Sequence, residues 1–323
     1  MKGANSLCHS EAYPEMASVL QRFVAGVQDA LGSNFLGAYL VGSLAMGDFD
    51  LDSDVDFLIL TNAELSDAGV RSLQTTHVDI DALGCYPAEH LEGSYIRTDL
   101  LNRPDLVGVE PSWFADNGST SLERSIHDNR WQVRWILRER GITIIGPDPK
   151  TLLHPVPTGA FRSEAIAAIQ ELKSRFVAEI DRPLGWFNTQ FGQSFAVLTC
   201  CRMLYICKSG TVQSKFSGVK WAEQSLDPAW CELIRKAWTE RMGVRFGDKV
   251  RQPAQTRLLH ETAKFTLRHT YRAWLGDKGE PLTVQKELMR HASIQTRLNT
   301  YGGGMMESLR EAHGRVVRQA IVR

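Results

Sequence analysis

The sequence predicts an α/β plus α fold: a small mixed sheet, then an all-helical domain, then a short helical tail. Short apolar segments bounded by glycine and aspartate alternate with helical patterns in the first hundred residues, whereas the periodicity is helical from Ser121 onward. The chain has 323 residues, 43% of them hydrophobic, which suits two ordinary domains better than one. Its 37 basic and 37 acidic residues cancel, yet residues 265–323 hold ten Lys/Arg against five Asp/Glu, so that tail carries +5 and the body −5. The expected boundaries are 1–120, 121–264 and 265–323.

Residues 11–31 place Met16, Leu20, Phe23, Val24, Val27 and Leu31 at helical spacing and stop at Gly32, a usual helix terminator. Phe35 to Val41 and Asp54 to Leu60 are short, apolar and separated by a Gly/Asp-rich turn, so both are expected as strands. A short helix is expected over 64–75. The period-two run Val78-Asp79-Ile80-Asp81-Ala82-Leu83 predicts a third strand. Further helices are expected over 121–140, 161–181, 190–208, 218–226 and 228–240, with Trp131, Trp135, Trp186, Trp230 and Trp238 in the core.

No apolar run of signal-peptide or membrane-spanning kind is present, so a cytoplasmic protein with no membrane partner is expected. The six cysteines form no C-x-x-C pair and no zinc-spaced array, which fits small buried hydrophobes in a reducing compartment.

The chemistry concentrates in residues 41–56. A Gly42-Ser43 pair is followed by a ten-residue spacer and then Asp54-Val55-Asp56 opening a strand. Successive strand side chains alternate faces, so Asp54 and Asp56 project to one side and Val55, Phe57 and Ile59 to the other. Two like charges held close are costly unless a cation lies between them, and hard oxygen ligands suit Mg²⁺ bound jointly with a triphosphate. Gly42 admits backbone close to a phosphate, and Ser43 offers hydroxyl and N–H. Asp79, on the expected third strand, would complete the triad, ligate metal and take the proton of an attacking hydroxyl.

This arrangement resembles the signature of the polymerase-β-type nucleotidyltransferases. Residues 36–262 more closely resemble one branch, the aminoglycoside 3″- and 9-adenylyltransferases, through Ile144-Ile145-Gly146-Pro147, Leu153-His154-Pro155-Val156-Pro157, and Val197 to Arg202 with Thr211 to Lys215 and Trp221-Ala222. The resemblance implies transfer of AMP from ATP to a hydroxyl of a spectinomycin- or streptomycin-type acceptor. It implies two Mg²⁺ held by Asp54, Asp56 and Asp79, with Arg202 and Lys215 reaching the ATP phosphates. An internal ion pair for Arg202 and a solvated loop position for Lys215 are the plainer alternatives. Trp113 falls where the branch places a tryptophan against the drug. Where the branch carries an acid ten residues before the helix arginine, this chain has Gly192, with Asn188, Gln190 and Gln193 as nearby polar candidates. His127-Asp128 either supplies polar contacts to the acceptor or caps a helix.

The last sixty or so residues resemble the C-terminal end of a phage-type tyrosine recombinase, in which Arg268, His291 and Tyr301 would occupy the catalytic places. Phe265 stands where that family has a histidine, and the upstream half of its active site has no counterpart, so the tail is expected to be a fused, inactive fragment with weak DNA affinity. A nucleotidyltransferase acting on a protein or RNA acceptor, or a DNA-binding recombination accessory protein, are the alternatives. The sequence sets no oligomeric state.

Overall fold

The computed structural model describes residues 14–50, 52–157, 159–179, 185–241 and Phe265. The tail residues Arg268, His291 and Tyr301 lie outside them. The chain packs as two compact units, one running through Glu164 with Thr211–Phe216, the other comprising Ala165–Gly210 and the residues from Ser217 onward. The break thus falls after Glu164 and not after residue 120, because the segment that follows residue 120 adds strands to the sheet.

In the first unit, α1 (Met16–Leu31) buries the expected stripe and ends at Gly32. It leads into β1 (Phe35–Leu40), α2 (Gly42–Met46) and β2 (Val55–Thr61). Next come α3 (Asp67–Asp81), α4 (Tyr86–Glu89), β3 (Leu91–Arg97), β4 (Ser112–Ala115) and β5 (Glu123–Ser125), then α5 (Trp131–Arg140), β6 (Ile142–Ile145) and α6 (Pro149–Leu152). Six strands form one sheet in the order β5-β4-β3-β2-β1-β6. Only β2 and β3 run parallel; the other neighbours are antiparallel. The sheet is mixed, as expected, and holds four strands, β3 to β6, beyond the two expected ones that are present in it.

Two expected elements are corrected. Residues 78–83 are not a strand: they form and follow the last turn of α3, whose buried residues Val70, Leu73, His77 and Ile80 repeat at three and four residues. The Ser66 hydroxyl caps this helix by accepting from the Gly69 N–H at 3.1 Å. The period-two look of Val78 to Asp81 arises where that helical stripe ends. The helix expected over 121–140 begins only at Trp131, where Glu164 Oε1 and Oε2 accept from the Trp131 and Gln132 N–H groups at 2.7 and 3.0 Å. Asp128 is therefore not its cap.

Side-chain alternation gives the sheet two apolar faces. Val55, Phe57, Ile59, Leu91 and Tyr95 pack under α1 and α3 with Phe23, Val27 and Leu73. Tyr39, Leu58, Leu60 and Ile96 pack on the other side with Leu100 and Leu137. A strand buried on both faces is the expected environment for a parallel pair. On the second face the alternation carries polar side chains at the start of β2 and β3, where Asp56, Glu92 and Ser94 share parity with Leu58, Leu60 and Ile96.

The second unit is helical among its described residues, as expected. It contains most of α7 (Ala160–Glu179), then α8 (Gln190–Ser209), most of α9 (Lys215–Ser225), and α10 (Cys231–Arg241). Cys200 and Cys201 are buried in α8, whereas all five tryptophans expected in the core are half-buried. No helix among the described residues is long and apolar enough to cross a membrane.

The spacing of the central strands leaves no room at Gly93, where a Cβ would lie 2.0 Å from the Phe57 carbonyl oxygen of β2. Gly93→Ala is expected to cost at least ~2 kcal/mol of unfolding free energy in urea titration, because backbone has to move. A denaturation midpoint equal to the parent's would refute this account of the β2–β3 contact.

Candidate active site

The site is built where β1 hands over to β2. The Val41 N–H donates to the Asp56 carbonyl at 3.0 Å, after which the chain turns through Gly42 at φ 58 into α2. A Cβ at Gly42 would fall 1.8 Å from Asp56 Oδ2, so the carboxylate occupies the space that any other residue would fill. The Ser43 N–H donates to the same carboxylate. Ser43 Oγ is buried and has no hydrogen-bond partner among the described residues. Ahead of β2, Asp50 Oδ1 accepts from Ser53 Oγ at 2.7 Å and from the Asp52 N–H at 3.1 Å, a local turn that delivers Asp54 to the start of the strand. Asp54 Oδ1 accepts from Asn117 Nδ2, and Asn117 Oδ1 meets His90 Nδ1 at 2.9 Å.

Directly beside Asp56, in register on β3, is Glu92. Burial pushes the Glu92 carboxyl up to about 9, reinforced by Asp56, Asp54, Asp128 and Asp116. Asp56 is pushed up to about 7, first by burial, then by Asp54 and Asp128, against the field of Lys215 and the Ser43 N–H. Asp128 is also raised by burial, opposed by His127 and by the Ser94 hydroxyl, which donates to its Oδ2 at 2.7 Å. His127 stacks on Phe114 with centroids 4.7 Å apart and brings Nε2 to 3.6 Å from Glu92 Oε1.

Of the residues singled out from sequence, Gly42, Ser43, Asp54, Asp56 and Asp128 come together here, with the charge of Lys215 acting on Asp56. Asp79 does not. It is exposed on α3, on the face of the sheet opposite Asp56, so it cannot complete the triad. Glu92 is the acid that stands beside Asp56 instead. The signal was available in Leu91-Glu92-Gly93-Ser94-Tyr95-Ile96, a period-two run whose odd positions enter the core. Trp113 is likewise misplaced, because it shares the α1/α3 face. Its Nε1–H donates to Glu64 Oε1 at 3.0 Å, and the Arg124 guanidinium lies 5.3 Å from its ring centroid.

Arg202, Asn188 and Gln190 belong to the second unit, at mid-α8, in the turn before it, and at its first residue. A side chain at position 192 would meet the Trp186 carbonyl oxygen at 2.3 Å, so the close packing of turn 186–188 on α8 accounts for glycine there.

Among the described residues no three Asp, Glu, His or Cys side chains gather closely enough to hold a metal ion by themselves. The arrangement nonetheless fits a cation shared with a polyphosphate. The like charges of Asp54 and Asp128 raise the hold of Asp56 and Glu92 on their protons, and the buried Ser43 hydroxyl has no partner among the described residues, a place that a phosphate oxygen would fill.

A nucleotidyltransferase domain model matches residues 26–129, and the aminoglycoside adenylyltransferase C-terminal domain matches residues 151–269, a span that includes Arg268. Spectinomycin 9-adenylyltransferase from Campylobacter jejuni is 22% identical over 241 residues, covering 71% of this chain and 86% of that protein. The enzyme of the same name from Staphylococcus aureus is 23% identical over 209 residues, or 61% and 74%. The crystal structure of spectinomycin adenyltransferase AAD(9) from Enterococcus faecialis with ATP and spectinomycin shares the fold, with a TM-score of 0.57 at 16% identity over 79% of this chain and 99% of that one. With a nucleotidyltransferase domain that carries the acidic site and an aminoglycoside adenylyltransferase C-terminal domain after it, the chain is a nucleotidyltransferase.

Proposed function

We propose that the chain transfers AMP from ATP to a hydroxyl of an aminocyclitol or aminoglycoside acceptor of the spectinomycin type. The observation that carries this reading is the apposition of Asp56 and Glu92 on parallel neighbouring strands, beside Asp54 and the backbone of Gly42-Ser43. The names of the similar proteins support the acceptor class. The acidic surroundings also suit a cationic substrate.

Asp54 and Asp56 would hold Mg²⁺ together with the triphosphate. The metal, when bound, supplies positive charge against the reacting phosphate oxygens. Glu92 accepts the proton of the attacking hydroxyl, whose oxygen bonds to the α-phosphorus as pyrophosphate departs. The Gly42-Ser43 turn presents the Ser43 hydroxyl to the phosphates. Lys215 adds positive charge at the site, and Arg202 is assigned to the phosphates on the family pattern alone. In this arrangement catalysis is positioning plus electrostatics.

Incubating a mixed panel of aminoglycosides and aminocyclitols with ATP, Mg²⁺ and the protein is expected to add the mass of one AMP to a spectinomycin-type compound. An unmodified panel together with a labelled protein or RNA would transfer the reading to another acceptor. Glu92→Gln should lower turnover by ~10²–10⁴-fold, as loss of a general base does. Asp54→Asn should abolish turnover, whereas Asp79→Asn should leave it within about twofold, since an exposed carboxylate behind the sheet has no part in the chemistry. Equal losses for Asp79→Asn and Glu92→Gln would reverse the assignment of the base.

The raised carboxyls also set a pH dependence of stability. Between 4.5 and about 9 for Glu92, and between 3.8 and about 7 for Asp56, the folded protein retains protons that the unfolded chain has released, so raising the pH favours unfolding. Without nucleotide or divalent cation, Tm is expected to fall as pH rises through this window. Glu92→Gln should remove part of the slope and melt a few degrees above the parent at about pH 8. A parallel pair of curves would show that Glu92 ionises freely in the folded state.

A further inference from the structure

His90 reaches Asp54 by two routes that meet. Its carbonyl oxygen accepts from the Val55 N–H at 2.9 Å, fixing the backbone next to Asp54. Its Nδ1 lies 2.9 Å from Asn117 Oδ1, and Asn117 Nδ2 donates to Asp54 Oδ1. Both partners are themselves held. The ring of Tyr86 lies on His90 with centroids 4.0 Å apart. Asn117 follows β4, its N–H donates to Asp116 Oδ1 at 2.9 Å, and the next N–H, of Gly118, donates to the Leu91 carbonyl at 3.2 Å.

The chemistry of these groups allows only one direction of donation. A carboxylate accepts and does not donate, so the nitrogen of the Asn117 amide faces Asp54 and its oxygen faces His90. That oxygen only accepts, so His90 must carry a proton on Nδ1. We propose that Asn117 is a positioning residue for Asp54, and that His90, bound as the Nδ1–H form, orients Asn117. The amide sets the plane of the Asp54 carboxylate, so that the geometry Asp54 offers to a cation and phosphate is decided by residues that touch neither. The proposal rests on the reading of Asp54 given above. It adds two residues, neither of which the motif around Asp54 contains.

Two measurements on the full chain test it. In alkaline buffer, where imidazole is neutral, the ¹⁵N spectrum of the unaltered protein should show His90 protonated at Nδ1; an Nε2–H form would overturn the proposal. Asn117→Ala should raise the Mg²⁺ concentration that half-saturates binding of a non-hydrolysable ATP analogue, followed by calorimetry, by ~10-fold or more, the usual effect of losing such a partner. Turnover by this variant should return to within about twofold of the parent at high Mg²⁺, a rescue that a folding defect would not show. An unchanged Mg²⁺ dependence in Asn117→Ala, with Asp54→Asn inactive, would sink this proposal and leave the assignment of Asp54 standing. An active Asp54→Asn would remove the assignment of Asp54 and this proposal with it.

Discussion

Asp56 and Glu92 are neighbours because β2 and β3 are parallel and in register, and this forced apposition of two acids governs the rest of the site. In water two carboxylates would move apart or be screened. Here the strands cannot separate, because each is buried on both faces and Gly93 lets their backbones meet where a side chain would not fit. Burial first, and then the repulsion, make both carboxyls hold protons well above their usual range. The apolar core offsets this cost, and a cation with a polyphosphate is what would relieve it.

The same sheet divides its labour by side-chain parity. On the α1/α3 face even titratable groups serve packing: His77 Nε2 meets the Tyr95 hydroxyl at 2.8 Å among Phe23 and Phe57, and burial brings the imidazole down to about 4. On the opposite face the starts of β2 and β3 carry Asp56, Glu92 and Ser94, with Asp54 and Asp128 beside them. A single residue of register slip would exchange the two sets, so the buried odd positions Val55, Phe57, Ile59 and Leu91 hold the acids in place.

Two helix boundaries show how local signals can deceive. Four alternating residues at the end of α3 mimic a strand, although the spacing of Val70, Leu73, His77 and Ile80 over the preceding turns is helical. At 121–130, polar residues before a helix resemble its first turns, yet they add an edge strand and the Ser94–Asp128 contact, and a carboxylate more than thirty residues away caps the helix. Position 192 is a third instance of distant control: glycine there answers to the Trp186 carbonyl, whatever the pattern of residues around Arg202 implies.

The amino-acid order by itself determined the α/β plus α class, the α1 stripe, the helical character of the described residues beyond residue 160, and the Gly42-Ser43 and Asp54-x-Asp56 elements of the site, because each is written in neighbours a few residues apart. Tertiary structure alone decided which acid stands third. Asp79 and Glu92 both sit in locally alternating sequence, and only the pairing of β2 with β3, a contact between segments more than thirty residues apart, brings one beside Asp56 while packing leaves the other behind the sheet. The same holds for Asn117 and His90, whose hold on Asp54 comes from hydrogen bonds between segments distant in sequence.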